Sequence, residues 1–183
     1  FNAVGEKALA AHEAGGMTRS YWDWSAMLGA NKGGAFPYTP ATNLLYGLDE
    51  AVRMLNEEGL QTVFLRHARL AEATRRAVAA WGLETVARIE SERSNSLTAV
   101  LLPEGHDADA FRGVVLQRFN MSLGNGLGRL AGKAFRIGHL GDFNELMLAG
   151  TLSGVEMGLA AANVRHDRGG VQAALDYLSE TSD

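Results

Sequence analysis

The residue best suited to a chemical role is Arg136, which interrupts the apolar run AFRIG at positions 134–138. Glycines stand beside this run, so a ligand can approach the backbone closely. A guanidinium among apolar side chains needs an anion, and it holds a carboxylate through two parallel hydrogen bonds. The sequence therefore predicts either a carboxylate-binding arginine or, with about equal weight, an internal salt bridge from Arg136 to Asp142 or Glu156.

A glycine-rich segment, GNGLG at 124–128, invites comparison with the dinucleotide-binding fingerprint. That fingerprint requires a long helix directly after its glycines. Gly132 follows only four residues after the segment, and the apolar run around Arg136 begins soon afterwards. We therefore predict a flexible loop between two strands.

The lysines of the sequence are Lys7, Lys32 and Lys133. An enzyme that holds its cofactor as a Schiff base must provide one lysine for that bond. Lys7, in GEKAL, is the most tempting candidate, but a solvated surface charge is the commoner role of a lysine. We expect all three to be surface charges.

The histidines give no metal-binding pattern. His67 falls on the apolar face of a predicted helix, and the others lie far apart without a partner four residues away: His12, His106, His139 and His166. We predict no metal site and expect each histidine to be hydrogen-bonded or solvated.

Composition bounds the class of protein. The formal charge is −4 and the basic residues are scattered, which argues against nucleic acid or an anionic membrane as a partner. The absence of cysteine excludes disulfides and a thiol nucleophile. No apolar run approaches the roughly 18 residues of a membrane span, and the first residues lack the order of a signal peptide. We expect a cytoplasmic protein whose chain, without an initiator Met, starts inside something larger.

Periodicity and breakers predict the elements that position these residues. The predicted helices are 4–13, 42–58, 60–81, 107–119 with Asp107 as N-cap, 142–162 starting at a capping box of Asp142 and Glu145, and a short final helix at 169–178. The predicted strands are 20–24, 83–89, 96–102, 119–123 and 133–138, and a loop is predicted at 29–40. The pattern predicts two pieces that meet near Gly59.

Three segments resemble serine–glyoxylate aminotransferases, a group of class V pyridoxal-phosphate enzymes, in the same order and spacing. They are FPYTPATNLLYGLDEA (36–51), GLQTVFLRHARLAEATRRAVAAWGL (59–83) and GKAFRIGHLGD (132–142). The resemblance implies an α/β protein with the type I pyridoxal-phosphate transferase fold. Residues 1–58 would be the C-terminal end of the large cofactor-binding domain, and 59–183 the small C-terminal α+β domain.

The resemblance also implies roles for particular residues. Arg136 would bind the α-carboxylate of the amino donor and then that of the oxo acid. Thr39 would reach the phosphate of pyridoxal 5′-phosphate in a neighbouring subunit, within a homodimer that shares its active sites. An aromatic hydroxyl of some relatives aligns with Phe36, which has none, so Tyr38 is expected to substitute as a cofactor-binding residue.

The implied activity is transamination between an amino acid, serine or alternatively alanine, and glyoxylate. Lys7 matches a helix position beyond the family's catalytic lysine. The Schiff-base lysine is therefore expected upstream of Phe1, with no catalytic residue inside this chain, and the 183 residues are not expected to act alone. The alternative is a non-catalytic dimerisation or small-molecule-binding module with the same fold.

Overall fold

The computed structural model describes residues 2–181 and divides the chain into two compact units, Phe1–Met54 and Leu55–Asp183. The first unit contains helix α1 (Glu6–Ala14), helix α2 (Trp24–Lys32) and most of helix α3 (Thr42–Glu58), which ends in the second unit. The assignment of 1–58 and 59–183 to the large and small domains of a bigger protein stays a prediction.

The predicted strand at 20–24 is wrong. Residues Ser20–Trp22 form a single 3₁₀ turn, and the Asp23 carboxylate accepts a hydrogen bond from the Ala26 amide at 3.1 Å. An aspartate that satisfies a free amide in this way begins a helix. The helix it begins is α2, which continues to Lys32, so the predicted loop also starts later than residue 29.

Between residues 60 and 181 the second unit contains four α-helices and a four-stranded sheet. Its elements are α4 (Leu60–Ala80), β1 (Glu84–Thr85), β2 (Leu97–Leu101), α5 (Ala108–Phe119), β3 (Gly124–Asn125), β4 (Ala134–Gly138), α6 (Glu145–Ala161) and α7 (Gly170–Glu180). The strands are antiparallel in the order β1-β2-β4-β3, which places β4 between β2 and β3. The sheet therefore surrounds Arg136 with a strand on each side.

One face of the sheet is part of the core. Val100, Phe135 and Ile137 are fully buried, as alternate positions of a strand packed on one side must be. The ring of Phe135 lies 4.8 Å from that of Phe111 on α5, centroid to centroid. Burial of these side chains fixes which way β4 faces and leaves its other residues, including Arg136, on the opposite face.

Helix starts were predicted with mixed success. Asp107 is confirmed as the N-cap of α5, since its carboxylate accepts from the amides of Asp109 and Ala110. The prediction of a capping box that begins at Asp142 is wrong. The N-cap of α6 is Asn144, whose side chain accepts from the Met147 amide at 2.9 Å, and Gly141 has a left-handed backbone that keeps the preceding turn out of the helix.

Two short strands also differ from their predictions. The segment 119–123 is not a strand, because Asn120 has a left-handed backbone that ends α5, and the pairing starts at Gly124. In 83–89 only Glu84 and Thr85 pair with β2. Apolar side chains from both segments contribute to the core and do not mark paired strands; Leu123, for example, is buried.

A partly buried hydrogen-bond cluster joins α6 to the start of α7 in the second unit. The indole of Trp81, fully buried, donates through Nε1 to Glu156 at 2.7 Å. The same carboxylate accepts from the amides of Gly169 and Val171, at the start of α7. Although burial alone would raise the pKa of Glu156, these hydrogen bonds hold it below its usual value.

His139 is the fully buried histidine of this unit, and its Nε2 lies 2.9 Å from the hydroxyl of Thr98. Burial lowers the pKa of His139 to about 4 because the charged ring loses its hydration, and the positive charge of Arg75 adds to this effect. The unfolded chain therefore binds a proton at this residue at a higher pH than the folded chain does.

We expect stability to fall as the pH falls from about 6.5 to about 4, because protonation of His139 then favours the unfolded state. A shift of this size corresponds to about 3 kcal/mol. Urea unfolding at several pH values measures it, and His139→Gln should flatten the dependence in this range. His166→Gln, at a more exposed histidine, is the matched control, and an equal flattening by both variants would contradict the prediction.

Candidate functional site

Arg136 lies at the centre of β4, on the sheet face opposite the core. Its cross-strand neighbours on that face are Ala99 of β2 and Gly124 of β3. Both are small, so no bulky side chain stands beside the guanidinium. The sheet thus presents Arg136 on an open surface, where a small molecule can reach it.

The guanidinium is held at one edge. Nε of Arg136 donates to the carbonyl oxygen of Asn125 at 2.9 Å. Within residues 2–181 the two terminal nitrogens of Arg136 have no hydrogen-bond partner. They form the parallel pair of donors that binds a carboxylate in bidentate geometry.

The alternative of an internal salt bridge is wrong. Glu156 is occupied by Trp81 and two backbone amides, and none of the ion pairs in the part of the chain that the structure describes involves Arg136 or Asp142. Arg136 is also half-buried rather than buried. Within residues 2–181 its charge therefore has no acidic partner, and its observed hydrogen bond is the one from Nε to the Asn125 carbonyl.

The predicted cofactor-binding residues lie in the first unit, at a cavity of about 570 Å³. The wall of this cavity is mainly aromatic and aliphatic. The residues that matter for the predictions are Phe36, Tyr38 and Thr39, and the apolar wall includes Tyr21, Trp24, Met27, Leu28, Leu44, Leu45 and Leu48.

Tyr38 and Thr39 differ in what they can offer a ligand. The Tyr38 hydroxyl donates to the Ser20 carbonyl at 3.0 Å, and its ring packs against Tyr21 with the centroids 5.0 Å apart. The Thr39 hydroxyl is exposed and, within residues 2–181, has no hydrogen-bond partner. A phosphate accepts hydrogen bonds only, so Thr39 fits one position in a phosphate site, while the proton of Tyr38 is already engaged.

The remaining candidates have ordinary surroundings. Lys7, Lys32 and Lys133 are exposed, as predicted. His67 bonds through Nδ1 to the Val63 carbonyl and accepts from the Gly141 amide through Nε2, also as predicted for a satisfied histidine. The glycine segment at 124–128 leads into a single 3₁₀ turn and no long helix, which confirms that it is not a dinucleotide fingerprint.

Sequence reasoning missed Gly124 and Asn125 as parts of the arginine site. Their segment, GNGLG, was noticed as a loop, but its pairing with β4 was not predicted. Residues 2–181 contain no group of three or more acidic or histidine side chains placed to bind a metal ion. No helix in the same range is long and apolar enough to cross a membrane.

No family model matches this sequence. Comparison with curated proteins finds the serine–glyoxylate aminotransferase of Methylorubrum extorquens, 49% identical over 183 residues that cover 97% of this chain and 46% of the relative. The enzyme of the same name from Arabidopsis thaliana is 47% identical over 174 residues, 94% of this chain and 43% of the relative. The chain thus spans about half the length of the curated relatives that it matches.

Solved structures define the class of fold. The ureidoglycine–glyoxylate aminotransferase of Bacillus subtilis matches with a TM-score of 0.84 at 32% identity, over 94% of this chain and 45% of the other. The pyridoxamine–pyruvate aminotransferase of Mesorhizobium loti matches with a TM-score of 0.75 at 34% identity, over 80% and 38%. The fold is that of type I pyridoxal-phosphate aminotransferases, as the resemblance of the three segments implied.

The chain belongs to the class V pyridoxal-phosphate aminotransferases and corresponds to the C-terminal part of the serine–glyoxylate aminotransferases.

Proposed function

We propose that this chain works within an enzyme that transfers an amino group from an amino acid, preferably serine, to glyoxylate. The observation that carries the proposal is the free pair of terminal nitrogens on Arg136, presented on an open sheet face. Every substrate of such a reaction carries a carboxylate beside the reacting carbon. The names of the relatives in several organisms support the same reaction and glyoxylate as the acceptor.

Arg136 binds the carboxylate of the amino donor and then that of the oxo acid. A guanidinium is suited to both steps because it stays charged throughout the working pH range and fixes the plane of the carboxylate. Since the same group holds both substrates, it orients the Cα of each toward one reacting position.

Pyridoxal 5′-phosphate supplies an electron sink that makes the proton on Cα removable. Thr39 would donate one hydrogen bond to its phosphate, and Tyr38, tied to Ser20, would hold the shape of the turn that carries Thr39. The lysine that bonds the cofactor is proposed to lie upstream of Phe1, because the chain corresponds to the C-terminal part of its relatives and covers 46% of the Methylorubrum extorquens enzyme.

A homodimer with shared active sites is part of the proposal. Helix α3 supports it. The helix is strongly amphipathic, yet none of its side chains is buried, and Leu44 and Tyr46 are each 75% exposed. Apolar side chains in such number favour a protein partner. A cytoplasmic location stays a prediction from composition.

The test is an assay of the full-length protein that contains this chain, with pyridoxal phosphate, L-serine and glyoxylate. We expect glycine and hydroxypyruvate in equal amounts, with slower turnover for L-alanine. The isolated 183-residue chain should be inactive. Failure to form glycine from any amino donor, while the protein still binds the substrates, would favour the non-catalytic binding module instead.

A further inference from the structure

The close approach of Gly124 to Arg136 indicates how the guanidinium is oriented. Strand β3 pairs with β4 so that Gly124 lies directly opposite Arg136, and Asn125 lies opposite Phe135. Side chains in such opposite positions usually have their Cβ atoms about 4.5–5.5 Å apart. A Cβ built on Gly124 would lie only 3.0 Å from the Cβ of Arg136 and 3.0 Å from its Nε.

The stem of Arg136 therefore crosses the space that any side chain at 124 would occupy. All three atoms closest to that added Cβ belong to Arg136. Gly124 is not among the glycines with positive φ, so its backbone conformation is open to alanine. The residue that would crowd a side chain at position 124 is Arg136, through both its Cβ and its Nε.

The next residues fix the acceptor that the arginine meets. Gly126 donates its amide to the Ala134 carbonyl at 2.9 Å, and a Cβ there would lie 2.0 Å from the Leu130 carbonyl oxygen. This backbone contact locks the segment after β3. It holds the Asn125 carbonyl where Nε of Arg136 donates to it, at 2.9 Å.

We propose that Gly124 is a positioning residue for Arg136. By leaving the strand surface clear, it lets the arginine lie flat across β3 with Nε on the Asn125 carbonyl. The edge with the two terminal nitrogens then faces outward, where both nitrogens can donate to one carboxylate. The inference rests on the proposed function, because it needs Arg136 to be the carboxylate-binding group.

The variant Gly124→Ala, in the full-length aminotransferase, tests it. The added methyl pushes the arginine stem aside by a few tenths of an ångström and so strains the bond from Nε to Asn125. A shift of about 1 Å in a positioning group can cost about 100-fold, so a smaller effect is expected here. We expect the KM for both the amino donor and glyoxylate to rise about tenfold, with kcat changed less than about twofold. Gly113→Ala and Gly150→Ala are matched controls, since a Cβ at either position meets nothing within 4 Å.

The double variant Gly124→Ala/Arg136→Ala separates positioning from a general structural effect. If Gly124 acts through Arg136, the double variant has the KM of Arg136→Ala alone, because the contact with the Cβ of residue 136 remains but no guanidinium is left for it to move. A further rise in KM would overturn the inference. If Gly124→Ala does not fold but the double variant does, the contact with the arginine beyond its Cβ is the cause and the inference stands. If neither variant folds, the contact with the Cβ of residue 136 alone excludes alanine and the inference fails.

The two proposals fail in different ways. Unchanged KM values in Gly124→Ala, beside raised values in Arg136→Ala, overturn the positioning role and leave the carboxylate-binding role intact. Unchanged KM values in Arg136→Ala overturn the carboxylate-binding role itself. Cofactor absorbance, measured on every variant that folds, should match the wild type. Tm should rise slightly in the two controls, where alanine replaces glycine inside a helix.

Discussion

Replacing Arg136 by alanine in the full-length aminotransferase is expected to reduce kcat/KM for both substrates about 100-fold, which corresponds to about 2.7 kcal/mol of transition-state stabilisation. The physical reason is the loss of both terminal nitrogens that bind the carboxylate, the group shared by the amino donor and glyoxylate. Steady-state kinetics with each substrate varied in turn measures the effect. Cofactor absorbance should not change.

Two further variants make the result specific. Arg136→Lys keeps the charge but not the planar pair of donors, so we expect an intermediate loss of about tenfold. Arg129→Ala removes an exposed arginine from the neighbouring 3₁₀ turn and should leave the kinetics unchanged. Equal losses of kcat/KM for Arg136→Ala and Arg129→Ala would mean that the effect is one of overall charge, and would contradict the carboxylate-binding role of Arg136.

Replacing Trp81 by alanine is expected to destabilise the second unit by about 3–5 kcal/mol, the usual cost of removing a large buried aromatic side chain. Trp81 is fully buried, and the start of α7 lies directly on it, since a Cβ at Gly170 would come within 2.2 Å of the indole nitrogen. The change also removes the donor that meets Glu156. Urea unfolding followed by circular dichroism measures the loss.

Trp81→Phe divides this loss into its two causes. It keeps most of the ring but not the hydrogen bond to Glu156, so a smaller loss of about 1–3 kcal/mol is expected. Trp22→Ala is the matched control, because Trp22 is 73% exposed and surface changes usually stay within about 0.5 kcal/mol. A loss at Trp22 as large as that at Trp81 would show that the burial of Trp81 is not the cause.

Long helices were predictable because their signal is local. The apolar spacing in 42–58 and 60–81 repeats over several turns, and Gly59, with its positive φ, separates the two helices as predicted. Asp107 could be assigned as an N-cap for the same reason, since a cap bonds to amides two and three residues away. Interactions of this kind join residues that lie close together in the sequence, so the pattern of residue types predicts them.

Short strands and competing caps were harder. The alternation in SYWDW resembles a strand, yet a single hydrogen bond from Asp23 starts a helix there. At the start of α6, Asp142 and Asn144 are both good caps, and the left-handed turn at Gly141 decides between them. Such choices depend on small energy differences that a pattern of residue types does not contain.

The sequence by itself determined that a charged residue, Arg136, stands in an apolar strand and therefore needs an anion. It could not tell a ligand carboxylate from a salt bridge to Asp142 or Glu156. The tertiary structure excluded the salt bridge among residues 2–181, because Glu156 turns to Trp81 and the strand pairing places Ala99 and Gly124 beside the arginine. That a ligand carboxylate takes this place stays a proposal. Strand register joins residues distant in sequence, and shifting it by one residue would turn Arg136 into the core, so only the packing of Phe135 and Ile137 fixes it.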